Sequence, residues 1–106
     1  MATTPEGRVK ARIKKILEEL KCYYVMPIGT GYGNAGVPDF IVCVGGYFVG
    51  IEAKAGKGKT TALQEKNLRL IREAGGYAIV VNESNIDDLK SLLVKQVENS
   101  WLPGGE

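Results

Sequence analysis

A chain of 106 residues that is 44% hydrophobic can bury one modest core, and its net charge of +2 is too mild to mark the whole protein as a polycation. It contains no histidine, which excludes a conventional zinc site and every catalytic arrangement that needs an imidazole base, from Ser-His-Asp hydrolases to Cys-His proteases and histidine nucleases. No apolar run reaches transmembrane length and the start Met-Ala-Thr-Thr-Pro-Glu has no signal-peptide character, so a soluble, cytoplasmic protein with no membrane association is expected.

The predicted order of elements is α-β-β-β-α-β-α in one domain spanning 1–106, with a core over about 5–98 and a short tail over 99–106. Thr4-Pro5 reads as N-cap and first turn of a helix whose core face is Val9, Ile13, Ile16, Leu17 and Leu20. Arg8, Lys10, Arg12, Lys14 and Lys15 lie on the same helix, as a solvated face or as contacts to a phosphate backbone. Tyr23 to Ile28 reads as a first strand. The loop Gly29-Thr30-Gly31-Tyr32-Gly33-Asn34 follows, either a plain connector or a mobile segment in which Tyr32 stacks on or wedges into DNA. Cys22 and Cys43 have no metal-ligand spacing and sit in apolar surroundings, as expected for core residues.

The runs Phe40 to Val44 and Tyr47 to Ile51 flank Gly45-Gly46, a two-residue hairpin signal. Pairing across that turn puts Asp39 opposite Ile51 to Glu52, at the end of the hairpin away from the turn. Strand alternation sends Glu52 and Lys54 to one face. Two carboxylates and an ammonium group then share a site, where Asp39 and Glu52 can hold a Mg²⁺ or Mn²⁺ ion, with the Ala53 carbonyl as a further oxygen. Lys54 suits stabilisation of developing charge and placement of an attacking water. As ordinary structure, the same three residues would be a strand start and an exposed edge. Strands deplete acids, however, and two carboxylates at one end of an apolar hairpin repel unless a cation offsets them.

Lys57 and Lys59 lie in the next loop, beside the acids, and suit DNA contact. Thr61-Ala62-Leu63-Gln64 fits a capping box at the start of a helix reaching about Ala74, with Leu63, Leu70, Ile71 and Ala74 packing inward and Gly75 ending it. Tyr77 to Val81 reads as a buried strand. Ser84 opens the last helix, with Asp87 and Asp88 near its positive end and Ile86, Leu89, Leu92, Leu93 and Val97 available for packing. Trp101 in the tail could cover a core edge or a partner.

Pro38-Asp39, then Glu52-Ala53-Lys54, resembles the signature of the PD-(D/E)XK nucleases. The order around it, with Gln64 opening a helix and Gly75-Gly76 before a Val-rich strand, most resembles the virus-type replication-repair nuclease (VRR-Nuc) domain, over about Glu6 to Asn82. The resemblance implies a restriction-endonuclease-like α/β fold, a mixed central sheet flanked by helices. It also implies a Mg²⁺- or Mn²⁺-dependent DNA endonuclease of repair or recombination, of cellular or phage origin. The family's metal ligands fall on Asp39 and Glu52, its lysine on Lys54, its helix glutamine on Gln64, and its first-helix acid on Glu6, although Glu18 and Glu19 share that helix. Single-domain members of the family act on four-way junctions as dimers. A homodimer acting on branched DNA, without a nucleotide cofactor, is therefore expected, with the last helix or the Trp101 tail at its interface.

Two readings from other classes compete. Ala53 to Thr60, Ala-Lys-Ala-Gly-Lys-Gly-Lys-Thr, is a P-loop with one mismatch between a strand and a helix, as in a nucleotide-binding protein. A catalytically silent nucleic-acid-binding module would keep the basic surface and leave the acids unused.

Overall fold

Thr4 caps the first helix, α1 (Pro5–Glu19), by accepting a hydrogen bond from the Gly7 amide at 2.9 Å, and Pro5 supplies a helix-compatible φ at the position where no amide is needed. The structure, a computed structural model, describes residues 4–28 and 35–99, with side chains described as far as residue 95. At the other end Lys21 takes a left-handed φ of 57°, and the Cys22 amide turns back to the Leu17 carbonyl at 3.0 Å, so the chain reverses out of the helix.

Three further strands and two helices follow β1 (Tyr23–Val25): β2 (Phe40–Val44), β3 (Tyr47–Ala53), α2 (Ala62–Glu73), β4 (Tyr77–Val81) and α3 (Ile86–Asn99). The order α-β-β-β-α-β-α is the one expected. Strands lie in the order β1-β2-β3-β4, antiparallel across the first two pairs and parallel between β3 and β4, so the sheet is mixed. Gly45 and Gly46, at φ 58° and 85°, make the β2–β3 turn with both central residues left-handed, which matches the strand twist. That turn pairs Val44 with Tyr47 and Phe40 with Ile51.

The sheet's two faces are used differently. Phe40, Val42, Val44, Val49, Ile51 and Ala53 face α1 and α3 and form the core with Val9, Ile13, Leu17, Ile86, Leu89 and Leu93. The opposite face receives α2 over β3 and β4, where Ile71 lies against Gly50. Tyr23, Val25, Cys43 and Phe48 remain exposed.

Several expectations are corrected. β1 stops at Val25, short of Ile28, because Pro27 has no amide to donate and β2 begins only at Phe40. Of the two cysteines, Cys22 is partly buried but Cys43 is exposed, since it lies on β2, on the α2 side of the sheet, while α2 sits over β3 and β4. In α2 the inward face is not Leu63, Leu70 and Ala74, all of which are exposed, but Leu68 with part of Ile71. β4 is an edge strand and only Val81 is fully buried. α3 starts at Ile86 rather than Ser84. Asn82 accepts from the Ser84 amide and hydroxyl, while the Asn85 side chain bonds the Asn82 amide and the Val80 carbonyl, so the chain turns before helix begins. Leu92 is exposed, whereas the side chain of Val97 and the Trp101 tail lie outside the described residues.

Candidate active site

The hairpin register puts Asp39, one residue before Phe40, beside Glu52, one residue after Ile51. Asp39 follows the buried Pro38, and its Oδ2 accepts the Ala53 backbone N–H at 2.8 Å, which fixes the carboxylate against β3. Its Oδ1 lies 3.4 Å from Lys10 Nζ. The segment leading into Asp39 is itself docked on α2. Gly36 has φ 83°, and a Cβ there would lie 2.6 Å from the Leu63 carbonyl carbon and 2.8 Å from the Gln64 nitrogen, so only glycine fits.

Glu52 projects from β3 toward α2 and is only 2% exposed. Gln64 Nε2 donates to its Oε2 at 3.1 Å, and Lys54 Nζ stands 3.8 Å from the same oxygen. Oε1 is buried without a hydrogen-bond partner. Burial strips water from this carboxyl, and the neighbouring Asp39 carboxylate adds to that effect by disfavouring a second charge. Together they push its pKa up to about 8 against the opposing pull of Lys54, with a smaller upward contribution from Glu6. Lys54 follows the end of β3 and its amide continues the ladder to the Val81 carbonyl at 2.9 Å, so the alternation carries its side chain to the Glu52 face.

Gln64 serves two purposes. Its Oε1 accepts the Thr61 amide at 2.9 Å while its own amide donates to Thr61 Oγ1 at 3.1 Å, completing the capping box, and its Nε2 remains to hold Glu52. The structural and site readings of this residue coexist in one side chain.

Among the first-helix acids, Glu6 lies 3.8 Å from the same Lys10 that meets Asp39 and is close enough for its charge to raise the Glu52 pKa. Glu18 instead accepts from the Tyr24 hydroxyl at 2.8 Å, and Glu19 pairs with Lys90 at 3.7 Å. Only Glu6 is thus near the two acids. Arg12 Nη2 bonds Asp87 Oδ1 at 3.2 Å. Glu83 has a lowered pKa through hydrogen bonds from the Gly56 amide and its own amide, with Arg12 and Arg8 helping, so both arginines flank the 82–87 turn. The Gly56 bond, 2.9 Å, also anchors the loop that carries the exposed Lys57 and Lys59. Tyr32 lies outside the described residues. Lys10 was expected only as one of the basic residues of the first helix, and its place beside Asp39 was missed. Its signals were the i,i+4 spacing from Glu6 and the basic run around it, neither of which reveals that α1 meets the hairpin there.

The donor set suits a hard divalent ion. A buried carboxylate oxygen without a partner, beside a second carboxylate, is costly in an apolar setting and favourable when a cation faces it. Among the described residues no group of three or more Asp, Glu, Cys or His side chains could hold an ion. Two carboxylates would therefore need water, main-chain or phosphate oxygens to complete the coordination, as is usual for Mg²⁺.

The P-loop alternative finds no matching geometry. Lys59 and Thr60 precede the N-cap Thr61 instead of entering the helix, the Gln64 amide is occupied by Thr61, and Gly36 packs on the first turn where a phosphate would need room. No helix among the described residues is long and apolar enough to cross a membrane.

No protein-family model matches the chain, and no curated protein does. Among solved structures, one titled "VRR_NUC domain protein" superimposes with a TM-score of 0.68 at 19% identity, over 94% of this chain and 93% of that one. The likeness shows the fold: an α-β-β-β-α-β-α arrangement like that of a VRR-Nuc domain, along nearly the whole of both chains.

Proposed function

We propose that the chain is a divalent-metal-dependent DNA endonuclease of the VRR-Nuc type, cutting phosphodiesters by direct attack of water. The observation that carries this reading is the buried Glu52 carboxylate with one unpartnered oxygen, set beside Asp39 and Lys54. Asp39 and Glu52 would hold Mg²⁺ or Mn²⁺, with the Ala53 carbonyl and, through water, Glu6 as further oxygens. The bound ion would polarise the scissile phosphate and lower the pKa of a water. Lys54 orients the attacking water and offsets charge building on the phosphate, and Gln64 holds the Glu52 carboxylate in place. Lys57, Lys59, Arg8, Arg12 and Tyr32 are the proposed contacts to DNA. The substrate proposed is a four-way or otherwise branched DNA, met by a homodimer in the soluble interior of a cell, with no nucleotide cofactor.

The test is cleavage of labelled duplex, flap, fork and four-way substrates with Mg²⁺ or Mn²⁺. Asp39→Asn, Glu52→Gln and Lys54→Ala should each abolish cutting, by at least about a hundredfold, while leaving the fold intact. Wild-type cutting by Asp39→Asn would overturn the assignment. Absence of metal-dependent cutting by the native chain on every substrate would favour the silent binding module instead.

A further inference from the structure

Each site carboxylate has one oxygen engaged by a neutral donor of the framework. Asp39 Oδ2 accepts the Ala53 N–H, and Glu52 Oε2 accepts Gln64 Nε2. The oxygens left over are Asp39 Oδ1 and Glu52 Oε1. Oε1 has no hydrogen-bond partner, whereas Oδ1 faces an ammonium group, Lys10 Nζ, at 3.4 Å. Glu6 Oε2 lies 3.8 Å from the same ammonium.

We propose that Lys10 is a built-in counter-ion of the site: it occupies the free oxygen of Asp39 until a divalent ion binds there, and is then released toward a phosphate of the bound DNA. The proposal rests on Asp39 being a metal ligand. Its logic is electrostatic, because a fixed positive charge within a few ångströms opposes a dication on the same carboxylate unless it moves. Lys10 is able to move. It is about a third exposed, and its four-carbon stem lets the ammonium swing while the helix stays in place. Lys54 is not equivalent, being only 12% exposed and set against Glu52 Oε2, the oxygen that Gln64 already engages.

Two readouts distinguish this role from a plain structural ion pair, which would change neither. In calorimetric titrations with Mn²⁺ and no DNA, Lys10→Met should bind Mn²⁺ about fivefold more tightly than wild type, the equivalent of one partly exposed ion pair removed. Lys10→Arg should stay near or below wild-type affinity, since its charge persists. For a short duplex held uncut in Ca²⁺, Lys10→Met should bind more weakly, with its logarithmic salt slope smaller by about 1. Lys10→Gln, which keeps a polar head, should follow Met in both assays and guards against a folding defect in the Met variant. Asp39→Asn is the control for the site itself. If Asp39→Asn loses Mn²⁺ while Lys10→Met and Lys10→Gln bind it no better than wild type, the role of Lys10 is overturned and the metal site stands. If Asp39→Asn binds Mn²⁺ like wild type, the metal site fails and this proposal with it.

Discussion

Glu52 is a residue whose burial is costly for the fold and which the proposed site would put to use. Its proton is held more tightly in the folded chain than in the unfolded one, because burial and the neighbouring Asp39 disfavour the charged form. A carboxyl with a raised pKa leaves stability intact below its ordinary value near 4.5 and removes it progressively as pH climbs toward about 8. The metal-free protein should therefore melt at falling temperature across that window. Thermal unfolding in chelator should show this slope, and Glu52→Gln should flatten it, leaving the variant more stable than the native chain at pH 8. If the melting temperatures of the two proteins run in parallel across the window, the buried carboxylate is not the strained group. Adding Mg²⁺ or Mn²⁺ at pH 8 should restore the native chain and leave Glu52→Gln largely unmoved.

At the scale of the element, α2 carries two apolar stripes of nearly equal appeal. Leu63, Leu70 and Ala74 make one, and Leu68 and Ile71 make the other, which also contains Gln64 at helical spacing. The sheet receives the second, since that rotation puts Ile71 over Gly50 and Gln64 on Glu52. Leu68 is 1% exposed and Leu70 46% exposed, so truncation separates the two. Leu68→Ala should cost about 2–4 kcal/mol in urea unfolding, as core leucines do. Leu70→Ala should stay within about 1 kcal/mol. Equal costs would mean that α2 sits in the other rotation, which would also take Gln64 off the site. Leu70 and Ala74 of the unused stripe line an apolar groove together with Phe48 and Ile71.

For the whole molecule, the proposed branched substrate demands more than one active centre. A chain with one pair of carboxylates makes one cut at a time, so paired nicks across a junction call for two copies, most simply related by a two-fold axis. Light scattering at micromolar concentration should give a dimer, and four-way junctions should be cut in preference to linear duplex. A strictly monomeric protein with no junction preference would remove this part of the proposal and leave metal-dependent cutting untouched. Of the interface candidates in α3, Ile86, Leu89 and Leu93 are committed to the core, whereas Leu92 is exposed and available.

The sequence by itself determined whatever depends on neighbours along the chain. Thr4-Pro5 and Thr61 to Gln64 start helices by local hydrogen bonding, and Gly45-Gly46 sets a hairpin whose two-residue turn leaves one register, so Asp39 must lie beside Glu52. Period-2 alternation then puts Lys54 with Glu52. What required the tertiary structure is every contact made by docking one element on another. The rotation of α2 was misread, because hydrophobic periodicity names a stripe without naming its partner: Leu63, Leu70, Ile71 and Ala74 were expected inward, and packing chose Leu68 with Ile71. The length of β1 depended on where its neighbour begins. Lys10 looked like one cation among several on a solvated helix face. Only the packing of α1 against the hairpin core selects it to meet Asp39, and the distances on which its proposed competition with a metal ion rests belong to that packing.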